Sequence, residues 1–210
     1  MNEYTFPFNT CEKVNKRGIA QPYSVLINVL NCLIILYFLI QTKHYYTFIL
    51  LLSIFLFEAF HVFSHMKHIP GTIQVNITHS LSYAINFSLL YAFYQYTHIF
   101  PNNLFLLFYF LLICLDIYLL YHWSIIFYLF SQAALFLSVL FYYYSYLPKS
   151  FQKNIFFIFP LVILIILLFI NEKTNCQRML YQFPYFPFHI LIEMVGLILF
   201  TILCNQFYQL

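Results

Sequence analysis

The sequence predicts an all-α fold, a polytopic membrane protein built as a seven-transmembrane-helix bundle. Three observations carry this expectation. Of the 210 residues, 63% are hydrophobic and only 7% charged, and the mean hydropathy is +0.83, outside the range of soluble globular domains. The apolar residues fall into seven runs, each close to the ~20 residues that cross the hydrocarbon of a bilayer. Short polar turn signals separate the runs, and no polar stretch is long enough to form a soluble domain.

Residues 1–21 read as a polar N-terminal segment carrying Lys13, Lys16 and Arg17. It has no apolar stretch with a small-residue cleavage site, so it is not read as a signal peptide. The transmembrane domain is expected over 22–205. Pro22 opens the first span, 22–41, because proline suits the first turn of a helix. The second, 45–66, ends before the Pro70-Gly71 turn signal. The third is 75–97 and holds His79, Ser80, Ser82 and Asn86. Pro101 opens the fourth, 101–121, which carries Asp116. A tight turn at Tyr121-His122-Trp123-Ser124 is required, since 101–146 is too long for one crossing. The fifth, 124–146, ends in Tyr142, Tyr143, Tyr144 and Tyr146, a pattern suited to the aromatic belt at a membrane interface. The sixth, 154–171, contains Pro160, expected to kink it. A polar loop from Asn171 to Gln182 follows, with Glu172, Lys173 and Arg178. The seventh, 184–205, carries His189, Glu193 and Gly196, and 206–210 form a short tail.

The net charge of +3 comes from scattered loop residues, too sparse for a nucleic-acid surface. The bilayer itself is the expected partner. Lys13, Lys16, Arg17, Lys67, Lys173 and Arg178 would share one side, against Lys43, Lys149 and Lys153 on the other. By the positive-inside rule the N-terminus is expected in the cytoplasm and the C-terminus opposite. The five cysteines are odd in number and not spaced for zinc, so they read as small hydrophobes. With three glycines in the chain there is no Gly-x-x-x-Gly seam, and helices must pack through large side chains.

The chemistry is concentrated in the second span. Glu58, His61, His65 and His68 are spaced three, four and three apart, which on an α-helix confines them to an arc of roughly 80°. Ionisable groups in hydrocarbon are costly and usually mark function. The end of this span, the start of the third, the end of the fourth and the start of the seventh must lie on one side of the membrane. At about 1.5 Å per residue, His61, His189 and Asp116 each sit ~8 Å in from that side and His79 ~6 Å, with Glu58 and Glu193 at ~12 and ~14 Å. The buried ionisable residues therefore share one leaflet.

Imidazoles and carboxylates are the ligands of zinc and non-haem iron. His61 with His65, and His189 with Glu193, both have the i, i+4 spacing that brings two ligands to one ion. Glu58 or Asp116 would orient a water or take its proton. His68 and His79 are held as surrounding or alternative ligands. The competing reading is an interhelical hydrogen-bond network that only holds the bundle together.

This pattern resembles the CREST superfamily of seven-helix membrane proteins, which includes alkaline ceramidases, adiponectin-type receptors and haemolysin-III-like proteins. The resemblance lies in the span count, in the Ser-x-x-x-His formed by Ser64 and His68, and in His189 at the first position of a zinc-binding pair on the seventh span. The chain departs from that family in having Glu193 where the second histidine would stand, and in lacking an Asp on the third span. The resemblance implies a zinc-dependent hydrolase acting on a membrane lipid amide such as ceramide, with His68 as the ligand from the second span. Residue depth points instead to His61 and His65, so both remain open. Three further readings stand beside it: a proton- or metal-coupled transporter, iron or haem held by histidine, and a non-catalytic seven-helix bundle.

Overall fold

The computed structural model describes residues 11, 12, 15, 18–67, 69, 71–122 and 125–210, the side chains of 72 and 125–129 excepted. These residues are all-helical, with no strand among them. The helices are α1 (Pro22–Gln41), α2 (Tyr45–Met66), α3 (Gly71–Thr97), α4 (Asn103–His122), α5 (Ile125–Tyr143), α6 (Lys149–Gln182) and α7 (His189–Tyr208), with one 3-10 turn at Tyr144–Tyr146. Five of them, α1, α2, α4, α6 and α7, are long and apolar enough to cross a membrane. The third helix is as long but carries Gln74, Asn76, Thr78, His79, Ser80, Ser82, Asn86 and Ser88.

The first two helices have the limits expected from sequence. Pro22 occupies the first turn of α1, where its missing N–H costs nothing. His98 closes α3 with φ +58, the left-handed geometry common at helix ends. The later helices correct the sequence reading: α6 begins at Lys149 rather than at 154, and α7 runs His189–Tyr208 rather than 184–205. Residues 171–182 are not a loop but the last turns of a 34-residue α6. That helix is continuous through Pro160, as a proline helix can be where neighbours re-satisfy the freed carbonyl.

Successive helices alternate in direction. Helix α1 packs on α2 and α7, α2 on α3, α3 on α5, α5 on α6 and α6 on α7, which closes a ring; α4 lies outside it against α5. Only Phe105, Tyr109 and Asp116 of α4 are buried. The outward faces are apolar, with Leu26, Leu33 and Ile40 of α1 and Leu104, Leu107 and Phe110 of α4 all exposed. A patch of that extent needs an apolar solvent.

The ring is divided along its length. At the end away from the N-terminus, Phe93, Tyr143, Phe151 and Phe207 are almost fully buried. The Phe93 ring lies 5.6, 5.7 and 6.3 Å from those of Tyr143, Phe151 and Phe207, distances typical of favourable edge-on and tilted aromatic pairs. Large side chains fill this end, as expected for a glycine-poor bundle. The buried ionisable residues collect at the opposite end.

Candidate metal centre

Helices α2 and α7 meet at the N-terminal end of the bundle. The i, i+4 spacing sets His61 above His65 on α2, with ring centroids 4.7 Å apart, and His189 above Glu193 on α7. The His65 and His189 rings are 5.3 Å apart across the helix interface. The start of α1 is fastened to the end of α2 by Ala20 N–H donating to Met66 O (3.2 Å) and Gln21 N–H to His65 O (3.1 Å). This fixes the helix ends around the cluster.

Three imidazole nitrogens converge on one carboxylate oxygen. Glu193 Oε1 lies 2.9 Å from His189 Nε2, 3.3 Å from His65 Nε2 and 3.6 Å from His61 Nε2. His61 Nε2 and His65 Nε2 are 3.0 Å apart. Ligands about 2.0–2.1 Å from a tetrahedral zinc sit about 3.3 Å from one another, the size of the separations among His61, His65 and Glu193. His61, His65 and Glu193 have their ligand atoms all within 4.8 Å of one another, and His189 joins them through Glu193. Glu193 Oε1 is buried and accepts no hydrogen bond of good geometry, although three nitrogens surround it.

The opposite edge of each imidazole faces an oxygen. His65 Nδ1 donates to Gln21 Oε1 at 2.6 Å. His189 Nδ1 lies 3.0 Å from both oxygens of Glu172. His61 Nδ1 is 3.8 Å from Glu58 Oε2. The partners of His65 and His189 hold the proton on Nδ1 and leave Nε2 as a ligand, the arrangement found around metal-bound histidines. Glu172 is itself anchored by the Cys11 N–H at 2.5 Å. The donor set therefore fits a zinc ion, and its histidine–carboxylate composition fits iron(II) as well.

A cavity of about 290 Å³ opens from the cluster into the bundle. Glu58, His61, His189 and Glu193 stand at its polar end, and Phe57, Phe60, Ile165, Phe169 and Phe200 are among its apolar walls. Glu58 is 1% exposed. Ser64 also lines the cavity, but its hydroxyl donates to His61 O at 2.8 Å, so it serves the α2 backbone.

The structure thus brings together Glu58, Ser64, His61, His65, His189 and Glu193. It places Asp116 and His79 elsewhere. Asp116 accepts hydrogen bonds from Tyr83 OH (2.9 Å), Gln132 Nε2 (2.7 Å) and Ser131 Oγ, with His79 Nδ1 at 3.7 Å. That second cluster joins α3, α4 and α5. A similar expected depth does not fix the azimuth of a side chain about its helix, which a single sequence does not encode. His68 lies outside the described residues.

Sequence reasoning missed Gln21 and Glu172, and it missed a disulfide. Cys11 and Cys176 are bonded, 165 residues apart in sequence, which corrects their reading as small hydrophobes; Cys32, Cys114 and Cys204 are free. Beside the bond, the Cys11 carbonyl accepts from Phe188 N–H at 3.1 Å. Glu12 accepts from Ser24 Oγ (2.5 Å) and Tyr23 N–H (3.3 Å). Burial pushes the Glu12 carboxyl above the usual range, against the lowering effect of those bonds. Cys11 and Glu12 are thereby tied to α6, to the start of α7 and to α1.

Comparison with protein-family models, curated proteins and solved structures finds no match to this chain.

Proposed function

We propose that this is a seven-span integral membrane zinc hydrolase that cleaves a lipid amide, with a ceramide-like molecule as the substrate class. One observation carries the reading: three histidines turn Nε2 toward a shared Glu193 oxygen and Nδ1 toward outer oxygens, at the mouth of an apolar cavity. Three of His61, His65, His189 and Glu193 would hold the ion, which leaves the fourth position open to water. When bound, zinc supplies Lewis acidity and a water acidic enough to attack an amide at neutral pH. Glu58, in the cavity wall, would take a proton from the attacking water and pass it to the leaving amine. The cavity takes one hydrocarbon chain and aligns the amide with the polar end, and its walls exclude bulk water. Iron is the second reading, because two histidines and one carboxylate are also the ligands of non-haem iron(II).

The disulfide bears on orientation. Disulfides persist in oxidising compartments, so the Cys11–Cys176 bond favours a luminal or extracellular N-terminal face. The charge bias toward a cytoplasmic N-terminus is modest, and Lys13, Lys16 and Arg17 lie outside the described residues. We give the covalent bond more weight, and place the metal site in the leaflet on the oxidising side.

The test is metal content by mass spectrometry on detergent-purified protein, wild type beside His189→Ala, paired with hydrolysis of a fluorescent lipid amide. One equivalent of zinc, lost together with hydrolysis in the variant, is the expected result. Iron would move the reading to redox chemistry. No metal in either sample would sink it.

A further inference from the structure

An apolar cavity delivers a lipid to the cluster but does not deliver water, and α1 offers a separate route. Ser24, Asn28 and Asn31 follow one another at i, i+4 and i+7, so they form one stripe on the helix. They are 0%, 0% and 1% exposed. The stripe starts at Ser24, whose hydroxyl is bonded to Glu12. It ends at Asn31, which lines the cavity together with Glu58. The packing register makes the two ends meet. Gln21 N–H is bonded to His65 O, and Asn28 and Glu58 each lie seven residues further in along antiparallel helices. They are therefore level, about 10 Å below that bond.

The middle of the stripe is unsatisfied. Neither Asn28 Nδ2 nor Asn28 Oδ1 has a hydrogen-bond partner, nor has Asn31 Oδ1 or Glu58 Oε2. Leaving a buried polar group so is costly, and a leucine at position 28 would avoid the cost. Four such atoms on facing helices supply the two to four polar partners that each buried water needs.

We propose that Ser24, Asn28 and Asn31 form a hydrated lane that runs from Glu12 to Glu58, by which water reaches the polar cluster and protons leave it. Service to a hydrolytic site rests on the function proposed above; hydration of the lane does not.

The lane is tested by silver-ion access, since Ag+ is small and reaches thiols only through water. Cys32, Cys114 and Cys204 are replaced by alanine, leaving the disulfide intact, and single cysteines are introduced by Ser24→Cys, Asn28→Cys, Asn31→Cys and Ile35→Cys. After timed Ag+ exposure, unprotected thiols are counted by alkylation in denaturant and mass spectrometry, for variants that keep the wild-type melting temperature. Ile35, 0% exposed and one turn beyond Asn31, is the dry control. The thiols at 24, 28 and 31 are expected to react at least tenfold faster than the one at 35. Adding Asn28→Leu should slow position 31 at least tenfold and leave position 24 unchanged. Equal rates at 28 and 35 would overturn the lane. So would a rate at 31 that Asn28→Leu does not change, which would mean entry through the lipid cavity. The readout needs neither metal nor substrate, so loss of the metal reading leaves it standing.

Discussion

Glu172 presents both carboxylate oxygens to His189 Nδ1, each at 3.0 Å, across the turn that joins α6 to α7. The pair is buried, at 2% exposure for each residue, and Cys11 N–H closes the other side of the carboxylate. His189 Nε2 is thereby aimed at Glu193. Glu172 touches no proposed substrate and acts through the histidine it positions.

Glu172→Gln is expected to keep the fold and weaken the metal site. Loss of an outer partner of a ligating histidine typically costs 10–100-fold in affinity. Zinc competition with a fluorescent chelator, wild type against variant, measures this. Unchanged affinity with an unchanged melting temperature would show that the Glu172–His189 pair only joins two helices.

Gly196 lines the cavity, and a Cβ built on it meets nothing within 4 Å. Gly196→Phe should therefore fill the cavity without displacing a ligand. Zinc content is expected to stay at the wild-type level while lipid amide hydrolysis falls at least tenfold. Gly196→Ala should retain activity and gain roughly 0.5–1 kcal/mol, the usual helix advantage of alanine over glycine. Activity surviving the phenylalanine would show that substrate enters elsewhere.

These outcomes also mark what was legible in sequence. The limits of α1 and α2 followed from apolar length and from Pro22, and α2 carried its polar face openly as Glu58, His61 and His65. That stripe paired with His189 and Glu193 because antiparallel helices bring their ends together. Asp116 shares their depth but faces α3 and α5, and rotation about a helix axis is set by packing that composition does not reveal. Glu172 stood beside Lys173 in a stretch that reads as a loop. Its burial goes with about three extra turns of α6 and with the neighbouring disulfide, both properties of tertiary structure. The lane on α1 was hidden because isolated Ser and Asn residues in an apolar run carry little signal until their partners are counted.

The Cys11–Cys176 bond closes a loop across 165 residues. A crosslink of that span is worth about 5 kcal/mol in the chain-entropy view. Cys176→Ser is expected to lower the melting temperature by on the order of 10 °C, and to reduce zinc retention because Cys11 holds Glu172. Alkylation in intact cells checks orientation as well. Both thiols should stay blocked until a reductant is added, as an oxidising compartment requires. Free thiols at both positions in cells would return the N-terminal face to the cytoplasm.

Asp116 supplies the sharpest separation of structure from chemistry. Its carboxylate is fully buried and accepts from Tyr83, Ser131 and Gln132, so it ties the outlying α4 to α3 and α5. Replacing it by alanine leaves three donors without an acceptor, at about 1–3 kcal/mol for each group that water does not reach. Asp116→Ala should therefore destabilise the protein by at least about 3 kcal/mol, while zinc stays bound to whatever fraction remains folded. Asp116→Asn keeps an acceptor oxygen and should cost less. Melting curves and metal content on the same samples give both readings. Zinc lost from folded Asp116→Asn protein would place this carboxylate in the metal site after all, and would require α4 to approach α2 more closely than it does here.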